Sequence, residues 1–217
     1  MIRIAIALVI GGAVLAFFGY NESKLASAAD TEPQTITAAD LIANGPGDNA
    51  HVRVTDLYIL DSYAYEGPDD GSDTYDKLWV PAIAMDDPWA VDIETKVEEA
   101  IAANPENPDF TAIDQIPYPT DLGLVIYTKD VSNAVAFDGF YQETELQGLI
   151  INEIENLKGD ELSNLKQGYP SLDASKVLIL EHNRKPKSGG TTMLMMVGGV
   201  LLILAGPALF FFTRSKA

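Results

Sequence analysis

Residues 193–212 read Met-Leu-Met-Met-Val-Gly-Gly-Val-Leu-Leu-Ile-Leu-Ala-Gly-Pro-Ala-Leu-Phe-Phe-Phe, twenty positions without a charge, and Thr213-Arg214-Ser215-Lys216 follow. At ~1.5 Å per residue a helix of that length covers ~30 Å, the hydrocarbon thickness of a bilayer. A buried core helix is the alternative. An unbroken apolar run closed by three phenylalanines and then two basic residues fits a spanning helix better. Ile4–Tyr20 repeats the pattern at the short limit of what spans, with seventeen uncharged positions. Arg3 can snorkel to the headgroups, and Tyr20 stands where an interfacial aromatic would. Neither run holds an ionisable residue, which argues against an ion pathway or a proton relay.

The first run has two readings. Ala26-Ser27-Ala28 has the small-x-small form of a secretory cleavage site, and Met1-Ile2-Arg3 supplies a minimal basic start. The distance from Phe18 to Ala28 is long for a cleavage region, so a retained signal-anchor is favoured over a removed signal peptide. Both readings place the middle of the chain outside the cytoplasm and the C-terminus inside. Charge bias is mixed. Arg214 and Lys216 fit a cytoplasmic tail, whereas Arg184, Lys185 and Lys187 ahead of the second run favour the opposite orientation. The expected organisation is a membrane segment at 1–20, a linker at 21–35, an acidic extracytoplasmic domain at 36–187, a second membrane helix at 191–213 and a cytoplasmic tail at 214–217.

Small residues recur on both runs. Ala7 and Gly11, and Gly12 and Ala16, are four apart, while Gly199 and Gly206 are seven apart. Such strips let helix backbones approach closely. Pro207 removes the donor for the Ile203 carbonyl, so a mild kink is expected.

All 32 acidic residues lie between Glu22 and Glu181, and the whole chain carries a net charge of −18. Between residues 21 and 190 eleven basic residues face those 32, a net charge of −21. A surface this negative repels phosphate backbones, which disfavours nucleic-acid binding and leaves basic proteins or divalent cations as partners. With no cysteine, disulfides, thiolate metal sites and cysteine nucleophiles are excluded.

The middle reads as one α+β domain. Thr37 fits a helix N-cap, with Asp40 in the first turn, Ile36 and Leu41 as a staple, and Gly45 as the stop. Residues 51–60 read as a strand whose apolar phase changes near Asp56. Leu78–Met85 reads as another, with Pro81 marking an edge or a bulge, and the pair suits an antiparallel hairpin. Asp92 is placed to cap a helix running to Ala103, with Ile93, Val97, Ala100 and Ile101 on one face. Residues 104–121 carry four prolines and read as an irregular crossing segment. Leu122–Thr128 lacks alternation and reads as a strand buried on both faces. Ala134–Tyr141, Gly148–Glu155 and Lys176–Glu181 read as further strands, and Asp160–Gln167 as a short helix. The fold expected is α+β: a mostly antiparallel sheet of five to seven strands with two or three short helices, flanked by two transmembrane helices. A small OB-like barrel is one concrete form of it.

No zinc, Walker, dinucleotide or nucleophile-elbow motif is present, and His51 and His182 are linked by no spacing to a ligand set. Each is expected to be structural. The densest acidic stretch, residues 66–76, offers Asp69, Asp70, Asp73 and Asp76 as a candidate Ca2+ loop, because a hard ion wants six to eight oxygens. Its spacing departs from an EF-hand, with Lys77 where the bidentate Glu belongs. Tyr63, Tyr65, Tyr75 and Trp79 flank this loop, and Phe137, Phe140 and Tyr141 follow later. Aromatic groups of this kind serve as core or as a surface for sugars or a partner protein.

A β-rich domain between terminal helices resembles the arrangement of haem–copper oxidase assembly factors, but none of that family's signature residues is present, so no activity is implied. The sequence supports a non-catalytic, membrane-tethered domain in contact with lipid and with other envelope proteins. An envelope enzyme or a ligand- or cation-binding module is the alternative.

Overall fold

A computed structural model describes residues 2–68, 72–113, 115–120 and 122–214. The chain forms two compact units, Glu32–Lys185 and the paired terminal segments Met1–Thr31 and Pro186–Ala217.

In the terminal unit, α1 (Ile2–Ser27) and α6 (Gly189–Arg214) are each 26 residues and are long and apolar enough to cross a membrane. The large side chains on their outer faces, including Ile6, Ile10, Phe17, Leu194, Leu201 and Leu204, are exposed. What is buried along their apolar stretch is small, and Glu22 and Leu25 are buried near the C-terminal end of α1. Ala5, Gly12 and Gly19 on α1 recur every seven residues, and Thr192, Gly199 and Gly206 do the same on α6. Low-numbered residues of α1 meet high-numbered ones of α6, so the helices run antiparallel. A Cβ on Gly12 would lie 2.6 Å from the Gly199 carbonyl oxygen, and one on Gly206 would lie 2.7 Å from that of Ala5. The period of seven keeps this seam on the partner over the whole length. Ala16 of the expected strips lies in it, whereas Ala7 and Gly11 face outward, and a Cβ on Gly11 would meet nothing within 4 Å. Beyond the apolar part, the Glu22 carboxylate pairs with Lys187 Nζ at 3.1 Å.

The acidic unit is a mixed eight-stranded sheet with helices. Its strands are β1 (Gln34–Thr37), β2 (His51–Thr55), β3 (Leu57–Ile59), β4 (Ala64–Glu66), β5 (Lys77–Ala84), β6 (Leu124–Thr128), β7 (Leu146–Ile150) and β8 (Leu178–His182). Their order is β1-β2-β7-β8-β6-β5-β3, with β4 also on β5. The pairs β1–β2 and β6–β8 are parallel and the other five antiparallel, so the sheet expected to be mostly antiparallel is mixed. The helices are α2 (Ala38–Asn44), α3 (Pro88–Ala103), α4 (Ala134–Phe140) and α5 (Gly159–Gly168).

Several local expectations hold for stated reasons. The Asp40 N–H donates to Thr37 Oγ1 at 3.1 Å, and Gly45 ends α2 at φ 73°, where a Cβ would be strained. Asp56 takes φ 54° between β2 and β3, a left-handed step that Asp tolerates, and this is the phase change in the apolar pattern. Leu124, Val125 and Ile126 are fully buried, as an unalternating strand should be.

Others are corrected. Residues 134–141 form helix α4 rather than a strand, because Asn133 Oδ1 caps the Ala136 N–H at 2.9 Å. Phe137 and Phe140 then turn inward together while Val135 is exposed. The cap of α3 is Asp87, followed by Pro88, not Asp92. Of the face expected on α3, Ile93 is buried and Ile101 exposed. The segment read as a linker at 21–35 is helical through Ser27 and joins the sheet from Gln34. The expected strand at 148–155 spans Leu146–Ile150 instead. Pro81 lies inside a strand paired on both sides. Its carbonyl accepts from the Leu60 N–H at 3.0 Å, so its hydrogen-less nitrogen faces the same side, where β3 has ended and β4 has not begun. That gap releases residues 61–63 from the ladder.

Candidate functional site: an aromatic cluster around Asp61

The released segment carries Asp61, whose carboxylate is exposed and accepts from Tyr118 Oη at 2.8 Å. Aromatic side chains reach this point from five other parts of the fold. Tyr58 comes from β3, Trp89 from the first turn of α3, Tyr118 from the proline-rich crossing segment, Tyr141 from the end of α4 and Tyr169 from the end of α5. Trp89 meets Tyr58 edge-on with ring centres 5.8 Å apart. It lies nearly parallel to Tyr118 at 6.4 Å and 18°. Tyr118 in turn meets Tyr169 edge-on at 5.3 Å. The crossing segment is pinned by Trp89 Nε1–H donating to the Pro117 carbonyl at 2.8 Å. Ser171 Oγ, donating to the Thr120 carbonyl at 2.5 Å, fixes it from the other side.

The phenols are poorly solvated. Burial, then the hydrogen bond to Asp61, pushes Tyr118 up to about 12. Burial, then the neighbouring Tyr58 hydroxyl, raises Tyr141, with Asp61 adding to it. Burial raises Tyr169 further, with Tyr118 and Asp61 adding and Ser62 opposing. Tyr169 Oη is sealed from solvent without a partner among the described residues. Buried hydroxyls are ordinarily satisfied, so this one is a marked exception in a polar cluster.

A second group of rings adjoins through Tyr141. Tyr63 contacts Phe137 at 4.3 Å, Tyr65 contacts Tyr75 at 4.6 Å, and Phe137 contacts Tyr141 at 6.0 Å. The Tyr63 and Tyr75 hydroxyls are hydrogen-bonded at 2.9 Å, and burial followed by that bond pushes Tyr63 up to about 12. Five of the aromatics singled out in the sequence thus come together. Trp79 stacks instead on Tyr127 at 5.4 Å, and Phe140 meets His182 edge-on at 5.4 Å. Tyr58, Asp61, Trp89, Tyr118 and Tyr169 carried no local sequence signal, since they are spread over more than a hundred positions.

Of the candidate Ca2+ loop, Asp69 and Asp70 lie outside the described residues. Asp73 and Asp76 are exposed, and Glu66 is drawn into an ion pair with Lys77 at 2.6 Å across the β4–β5 hairpin. Among the described residues no group of three His, Asp or Glu side chains is placed to hold a metal. His51 is buried, and its Nε2 lies 3.2 Å from Gln147 Nε2. His182 Nδ1 lies 3.3 Å from Thr128 Oγ1. Both histidines sit within sheet packing.

No family model, curated protein or solved structure matches the chain.

Proposed function

We propose that this chain is a membrane-tethered protein whose acidic α+β unit works outside the cytoplasm through contacts with other envelope proteins. The observation that carries the reading is the apolar helical hairpin. Through its apolar stretch the seam is made of glycine, alanine and threonine, and its exposed faces carry Ile, Leu and Phe. That distribution suits a surrounding solvent that is itself apolar. An antiparallel pair brings both chain ends to one face of the bilayer, the cytoplasmic face if the signal-like first helix sets the orientation. The contact role rests on the acidic unit, where nine basic residues stand against thirty acidic ones between 32 and 185. Tyr65 and Tyr118 are exposed on it, and such tyrosines are enriched where proteins meet.

The test is a pair of topology reporters. Alkaline phosphatase inserted within residues 66–76 is expected to be active, and a fluorescent protein fused after Ala217 is expected to fold in the cytoplasm. The reverse pattern, or a full-length chain recovered in the soluble fraction without detergent, overturns the reading.

A further inference from the structure

Resting on that contact reading, we propose that the cluster around Asp61 is a receptor for an arginine side chain presented by a basic partner protein. Asp61 is exposed, makes no ion pair among the described residues, and receives a single phenol hydrogen bond. It is therefore a carboxylate without an ionic partner, bonded to Tyr118 and close enough to Tyr141 and Tyr169 to act on both. Tyr118 is 41% exposed, so part of its ring is open to a ligand. The indole N–H of Trp89 is spent on Pro117 and is not competing for Asp61.

A cation beside an aromatic face and a carboxylate gains from both. Arginine fits better than lysine. Its planar guanidinium lies flat on a ring while its fork donates two N–H groups to one carboxylate, and an ammonium does neither. The net charge of −21 on the acidic unit steers any basic partner toward it, and Asp61 then selects the side chain.

Tryptophan occurs only at 79 and 89, so Trp79→Phe leaves Trp89 as the sole indole reporter. Full-length protein carrying that change, in nanodiscs of zwitterionic lipid, is titrated with nona-arginine, nona-lysine and tetramethylammonium chloride. Nona-arginine is expected to change Trp89 emission and to bind roughly tenfold or more tightly than nona-lysine. Asp61→Asn is expected to bring the two peptides to equal affinity. Tyr118→Ala is expected to weaken nona-arginine about tenfold, and Tyr118→Phe, which keeps the ring, much less. Asp48→Asn, an exposed carboxylate elsewhere, is expected to change nothing. Circular dichroism checks that each variant is folded. Equal affinity for the two peptides in the parent, or no effect of Asp61→Asn, overturns the proposal. So does Asp61-dependent saturation by tetramethylammonium alone, which would make this a quaternary-ammonium site. These titrations are blind to which side of the membrane the unit occupies, and the topology reporters are blind to arginine, so the two readings fail separately.

Discussion

His182 ends β8 with its ring edge-on to Phe140, and Asp130 Oδ2 lies 3.4 Å from its Nδ1. Burial lowers its pKa, and the pull upward from Asp130 and Glu143 is smaller. The folded protein therefore holds the ring neutral at a pH where the unfolded chain has begun to protonate it. The unfolded state binds more protons in the window just below pH 6.5, so stability rises with pH across that window and falls on acidification. His182→Asn should flatten this part of the curve by about 1 kcal/mol or less, measured as denaturant midpoints at pH 7.5 and 5.5. An unchanged difference between the two pH values would mean that other groups set the slope. Asp61 is the contrasting case, a charge left exposed and unpaired rather than a charge suppressed.

Close backbone approach governs two elements of the molecule. In β7, a Cβ on Gly148 would collide with the Glu181 carbonyl of β8, so only glycine lets those strands pair at that point. In the helical hairpin, Gly12 and Gly199 play the same part. Gly12→Leu must push α1 away from α6, an overpacking that costs about 1–3 kcal/mol. Gly11→Leu, one residue away on the open face, should cost nothing measurable. Thermal midpoints of the two variants in detergent give the comparison. Equal midpoints would mean that the seam does not hold the pair together. Surface ion pairs matter less here, because Glu66–Lys77 at 2.6 Å is partly solvated on both sides and contributes ~1 kcal/mol or less.

At the level of the whole molecule the chief question is whether α1 stays. Removal after Ala28 would leave the small-residue face of α6 without a partner and Lys187 without Glu22. The Ala26-Ser27-Ala28 site lies at the helix end, where Ser27 Oγ donates to the Lys24 carbonyl at 2.8 Å and the Ala28 N–H to the same oxygen at 3.2 Å. Protein purified from membranes should thus show the intact mass of 217 residues, 23.4 kDa. A mass lacking the first 28 residues would refute retention of the anchor.

The apolar runs, the acidic middle, the cap at Thr37, the phase change at Asp56 and the doubly buried β6 were legible in the sequence. Each depends on neighbours a few residues away, through helical period, strand alternation or a capping side chain. Residues 134–141 read as a strand in the sequence, whereas the Asn133 cap and the shared burial of Phe137 and Phe140 make Ala134–Phe140 a helix. The parallel placement of β1 on β2 and of β6 on β8 was not legible, since strand partners depend on where the chain returns. Nor was the gathering of Tyr58, Trp89, Tyr118, Tyr141 and Tyr169 about Asp61. One-dimensional pattern reports which residues will be buried. Which distant side chains share a site is decided by the packing of elements against one another, and here by the gap between β3 and β4, opposite Pro81 of β5, that frees Asp61 from the sheet.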